Sequence, residues 1–219
     1  GGFGVEGGAV GNVSVILKRL LWATDEGALA AGLTIGTPTG SDVRVQDGGV
    51  HYTLENQAVH LAPFIGFLRL PSECFFYQGF LQVDVPTNGN RIDYLDTGGG
   101  LSGSLGTLTD QTALYVDLSA GYWLYRHPHA FLLTGVASLV EFHYATALGD
   151  ADVVSGTFGG TTVRFGDLHN PSDVANVTVG LHTELRGHTT LRVGGVFPLH
   201  DSPGRPFDAE LHVMLDRFF

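Results

Sequence analysis

The chain has 219 residues with 11 lysines and arginines against 22 acidic residues, a formal charge of −11 at pH 7 with histidine neutral. That balance lacks the basic surface that neutralises phosphates, so nucleic acid is not an expected partner. Only 15% of the residues are charged, yet no run reaches the about 18 consecutive apolar residues that a spanning helix needs, which excludes a helical membrane protein.

Nothing in the composition divides the chain, and its length suits one all-β domain over 1–219. Cys74 is the single cysteine, which rules out an internal disulfide and a cysteine-built zinc site. In chain order, period-two alternation predicts strands at about 11–22, 28–38, 58–70, 75–86, 111–125, 130–146, 174–186, 189–199 and 206–219. In 174–186, for example, Val177, Val179, Leu181 and Leu185 share one face while Asn176, Thr178, His182 and Glu184 share the other.

The connections alternate in length. Tight turns are expected at Thr24–Gly27, Pro71–Glu73, His127–His129 and Gly187, and long polar loops at 39–57, 87–110 and 147–173, with a shorter one at 200–205. Alternation alone suits a soluble sandwich, a lipocalin-like binder or a membrane barrel. Strands of ten or more residues with short turns at one end and long loops at the other favour an antiparallel up-and-down transmembrane β-barrel of about 10–12 strands. Nine visible strands are an odd number, so one or more are expected ahead of Gly11, or from another chain. Residues 43–54, around Asp47-Gly48-Gly49, are an alternative extra hairpin beyond the membrane.

The closing segment FDAELHVMLDRFF (207–219) carries apolar residues at alternate positions, and only Arg217 departs from the pattern. It resembles the C-terminal signal that outer-membrane barrels present to their insertion machinery, which would make Phe207, Leu211, Val213, Leu215 and Phe219 its signal residues. The segment GNVSVILKRLLWATDEGALAAGLTIGTPTG (11–40) is similar to predicted outer-membrane transporters associated with phenol meta-pathway gene clusters. FFYQGFLQVDVPTNGN (75–90) and LYVDLSAGYWLY (114–125) look like related barrel proteins. The resemblance touches about half the chain. It implies the bacterial outer membrane, with lipid, the barrel-insertion machinery and a small, apolar or aromatic solute as partners, and it carries over no catalytic or substrate residue.

On that architecture the polar face lines a lumen. The expected lining includes Lys18, His60, Gln82, Asp84, Asp117, Glu141, His143, Asn176, His182, Glu184, Arg192, Glu210 and His212. Three strands place His and Glu two apart on one face: Glu141/His143, His182/Glu184 and Glu210/His212. Such pairs could ligate a metal or move protons, but a lumen filled with hydrogen-bonded polar groups needs neither. Tyr122, Tyr125, Phe197 and Phe207 are expected outward as interfacial girdles, with Arg19 and Trp22 near a membrane interface.

Acidic residues gather in the loops, at Asp42, Asp47, Asp93, Asp96, Asp110, Asp150, Asp152, Asp167 and Asp173. None has the spacing of an EF-hand, so no metal and no cofactor are assigned. Ser119 and Ser138 lie among polar residues without a catalytic motif, and no enzyme activity is expected. The leading expectation is a channel or transporter for small solutes. The alternative is a structural barrel subunit that anchors or seals a larger assembly with other envelope chains.

Overall fold

The computed structural model describes residues 10–150, 152–158, 160–166, 173–186, 188–200 and 207–218. Among these, regular structure is entirely β, with no helix. Fifteen strands follow in order: β1 (Val13–Thr24), β2 (Gly27–Thr37), β3 (Val43–Asp47), β4 (Val50–Leu54), β5 (His60–Arg69), β6 (Phe75–Pro86), β7 (Asn90–Asp96) and β8 (Leu101–Leu108) open the chain. They are followed by β9 (Ala113–Arg126), β10 (Leu133–Ala147), β11 (Val154–Phe158), β12 (Thr161–Phe165), β13 (Val174–Leu185), β14 (Thr189–Pro198) and β15 (Glu210–Arg217).

The principal sheet is antiparallel, with nine strands in the order β1-β2-β5-β6-β9-β10-β13-β14-β15. Neighbours in space are neighbours in sequence once the short strands are set aside, which is the meander that alternation and tight turns dictate. The expected strand at 206–219 is shorter than predicted: Pro198 ends β14 and offers no amide hydrogen for further pairing, so the last β14–β15 pair is Val196↔Glu210. Phe207 therefore precedes the strand instead of belonging to it, and Phe219 lies outside the described residues, as do Asp167, Gly187 and 201–206.

The sheet is open: nine strands of the expected 10–12 are paired among the described residues, and they do not close into a barrel. Its edges, β1 and β15, have no second neighbour among the described residues. The reason lies in strand direction. β1 runs into the short turn at 25–26, and β15 arrives from the long connection after β14, so both edges run toward the short-turn end. An antiparallel pair between them cannot form.

The long connections hold more structure than their Gly/Asp composition suggests. The hairpin over 43–54 is present as β3 and β4, and the segment 87–110, expected as a polar loop, contributes β7 and β8 to the same four-stranded sheet, β3-β4-β7-β8. The segment 147–173 likewise contains the β11–β12 hairpin. These strands build a core of their own, with Ile92 fully buried and Tyr52 and Val154 buried. Tyr52 packs at a tilt against Phe165, 5.1 Å between centroids, and Tyr94 likewise against Phe158 at 4.5 Å.

Asparagine side chains tie this layer to the main sheet. Asn90 Oδ1 accepts the Gln57 and Ala58 amides at 2.8 Å each, and Asn88 Oδ1 accepts that of Val59 at 2.9 Å. Thr109 N donates to Asp152 Oδ2 at 3.0 Å, joining two of the long connections.

Candidate functional site

Register sorts the nine-stranded sheet into two faces. Across β10–β13 the partners Glu141↔Thr178, His143↔Asn176 and Ala137↔His182 share one face, and Val140↔Val179 and Ser138↔Leu181 the other. Across β13–β14–β15 the first face continues through His182↔Arg192↔Met214 and Thr178↔Val196↔Glu210. Leu211, Val213 and Leu215 lie on the opposite face, with Leu211 73% exposed.

The polar face bounds a cavity of about 860 Å³ whose lining runs from Lys18 and Leu20 on β1 to Glu210, His212 and Met214 on β15. Asp117, Glu141, His143 and Arg192 are brought to it as well. A second cavity of about 570 Å³ lies toward the short-turn end and shares Glu141 and Arg192 with the first while adding His182, Trp123 and Arg126. Asp84 and Glu184 border neither, although both project from the same face.

The polar groups are joined across strands. His143 Nδ1 lies 2.6 Å from Asp117 Oδ1, while its Nε2 is 3.8 Å from Glu141 Oε2. Ser119 Oγ donates to Glu141 Oε1 at 3.4 Å, extending the chain of contacts along β9 and β10. Nearer the long connections, His60 Nδ1 is 2.9 Å from Asp84 Oδ1 and its Nε2 3.4 Å from Asp110 Oδ2.

Toward the short turns, Arg192 Nε donates to His182 Nδ1 at 3.2 Å. An accepting Nδ1 places the neutral ring's proton on Nε2, which is 3.9 Å from Glu184 Oε1. The expected Glu210/His212 pair makes no contact of this kind. Two-apart spacing on one strand thus matters less than pairing between strands, which needs the register to be seen.

Aromatic rings line the same face. Phe80, the register partner of Asp117, lies 5.5 Å from Phe64 between centroids. Phe76 and Trp123 are 5.8 Å apart, and the Arg126 guanidinium sits 5.2 Å over the Trp123 ring. Several rings lie against glycines: a Cβ on Gly135 would stand 2.6 Å from Trp123 Cζ3, and one on Gly32 or Gly121 would overlap Phe64 or Phe76. The polar-residue expectation passed over these rings, yet Phe76 and Phe80 share their parity with Gln82 and Asp84, a signal that was present in β6.

On the outer face Tyr122, Tyr125 and Phe197 are exposed, and Arg19 is there too, opposite Ala31. Trp22 stands beneath the Arg69 guanidinium at 5.7 Å. Ser138 donates to the Tyr122 carbonyl, and neither it nor Ser119 bonds an imidazole among the described residues. No group of three or more His, Cys, Asp or Glu among them is arranged to hold a metal ion. Compared with protein-family profiles, curated proteins and solved structures, the chain matches none.

Proposed function

We propose that the nine-stranded sheet is the wall of a bacterial outer-membrane β-barrel that passes small solutes. The observation that carries this reading is the sheet's division into an outer face of exposed large apolar side chains, including Leu17, Val140, Val179 and Leu211, and an inner face whose charged groups border a cavity. Removing a leucine-sized side chain from water is worth about 1.5–3 kcal/mol, so a surface of this kind in water calls for a cover, and hydrocarbon is one. All four short turns fall at one end of the strands and the long connections at the other, the asymmetry of outer-membrane barrels.

In this reading the seam between β1 and β15 is filled by an odd number of strands that alternate in direction, those next to β1 and β15 running opposite to both. The similarity to transporters of phenol meta-pathway clusters belongs to the same proposal and points to an apolar or aromatic solute. Planar-bilayer recording with the full-length protein, alongside liposome swelling, tests it. Discrete conductance steps or selective swelling are expected, and a folded protein silent in both assays removes the channel.

The two edges that lack a second neighbouring strand among the described residues favour a second reading, a structural subunit whose wall is completed by another envelope chain. Co-purification of a stoichiometric partner protected along β1 and β15, in a preparation silent in bilayers, is the outcome that selects it.

A further inference from the structure

We infer that the inner wall holds a site for an organic ammonium ion, an apolar body with one fixed positive charge, between the rings of Phe64 and Phe80 and the carboxylates of Asp117 and Glu141. The inference rests on the lumen reading above and adds the sign of the solute's charge.

Both rings and both carboxylates border the 860 Å³ cavity. Phe80 and Asp117 are directly opposed across β6 and β9, and Phe64 is 5.5 Å from Phe80. Phe64 lies so close over Gly32 that any side chain there would displace it. One flank of that ring is thus taken up by backbone. An aromatic face beside a carboxylate offers a cation both quadrupole attraction and Coulomb attraction, and a bulky alkylammonium avoids the dehydration cost of a small inorganic ion.

The charge of the wall supports the same sign. Cavity carboxylates Asp117, Glu141 and Glu210 face two cations, Lys18 and Arg192. Over the rest of that face Asp84, Glu184 and Asp216 are set against Arg126. A low-dielectric wall with excess negative charge concentrates cations and repels anions. Arg192, on β14, donates to His182 on β13, several strands from Phe80 and Asp117 along the same face. His143 holds Asp117 Oδ1, and Lys18 stands in register with Phe64 across Gly32, so Lys18 is the cation that competes with the ligand.

Calorimetric titration of the full-length protein in detergent compares three probes that share a phenyl ring and differ in charge: benzyltrimethylammonium, benzoate and, as the neutral match in shape to the first, neopentylbenzene. Benzyltrimethylammonium is expected to bind at least tenfold more tightly than either of the others, with affinity falling as salt rises. Asp117→Asn combined with Glu141→Gln is expected to remove at least tenfold of that affinity, and Lys18→Gln to increase it. Circular dichroism confirms that each variant keeps its strand content; if the double variant fails to fold, the probe order and the Lys18→Gln response decide alone.

Tighter binding of benzoate, or equal binding of all three, overturns the inference. Conductance is recorded on the same preparation so that the two proposals fail separately. Ammonium binding without conductance keeps the site and removes the channel, whereas conductance with no ammonium preference keeps the channel and removes the site.

Discussion

Gly121 of β9 lies directly beneath the ring of Phe76, its register partner on β6, so that any Cβ at the glycine would overlap the ring. The pair shows how a wall of small and large residues stays smooth: the aromatic side chain lies flat because its partner has no side chain. Gly121→Ala is expected to destabilise the protein by about 1–3 kcal/mol through displacement of Phe76. Gly149→Ala, where a Cβ meets nothing within 4 Å, should stay within about 0.5 kcal/mol. Urea unfolding in detergent measures both, and equal effects would mean that Phe76 does not rest on Gly121.

The pairing of His143 with Asp117 is shorter than that of His60 with Asp84, 2.6 Å against 2.9 Å, but both side chains of the first pair remain about two-fifths exposed at 40% and 44%. Solvent screening at that exposure limits its worth to about 0–1 kcal/mol. His143→Ala is therefore expected to shift the unfolding midpoint only slightly. A loss of several kcal/mol would show that the cavity is sealed from water.

Much of this arrangement was legible in the sequence because a strand's period of two fixes the face of each residue before its neighbours are known. Lys18, Asp84, Asp117, Glu141, His143, His182, Glu184, Arg192, Glu210 and His212 all project from one face, as alternation predicts. Which side chains touch was not legible, since His143 meets Asp117 only through the register of β10 on β9. The strands β7, β8, β11 and β12 escaped notice because Gly and Asp interrupt short runs in which Ile92, Tyr94, Phe158 and Phe165 find their partners from distant segments. The incompatibility of β1 with β15 was legible as well, because it follows from the odd count of nine long strands, whereas what lies beside those edges follows from no segment of the sequence.

Tyr52 links the layer built by the long connections to pH. Burial, and then the charges of Asp47 and Asp96, hold its phenol above the ordinary range. A folded pKa above the unfolded one favours the neutral phenol in the folded state, so the stabilisation is complete below about pH 10 and is lost as pH rises through the shifted value. Phenolate absorbance of the protein minus that of Tyr52→Phe should reveal a transition later than that of a free phenol. The four-stranded sheet should loosen in the same interval, and a difference spectrum centred at the free-phenol value would mean that Tyr52 is in water.

Strand order makes a prediction about the seam that disulfide trapping can read. With Cys74→Ser as background, Leu17→Cys with Leu33→Cys should cross-link on oxidation, because these residues are register partners on β1 and β2. Leu17→Cys with Val213→Cys should not, because β1 and β15 are edges of one open sheet that run the same way. Efficient trapping of the second pair in the full-length protein would demonstrate a parallel β1–β15 closure and leave no room for further strands.

The chain's two tryptophans lie on opposite faces of the sheet and so provide a direct test of what covers each. Trp22 is on the outer face of β1, opposite Leu29, and 41% exposed; Trp123 borders the inner cavity next to Phe76 and His182. If the outer face meets hydrocarbon, Trp123→Phe leaves an emission quenched by brominated phospholipid and sheltered from aqueous iodide. Trp22→Phe leaves the inner ring, which brominated chains should not reach and for which a water-filled cavity predicts quenching by small aqueous agents. Trp22 lies within three residues of the short turn at 25–26, so lipids brominated near the headgroup should quench it more than those brominated at the chain end. Quenching of Trp22 by iodide alone would place that face in water and withdraw the membrane reading, because a protein that turns Leu17, Trp22 and Leu118 toward solvent needs another partner to cover them.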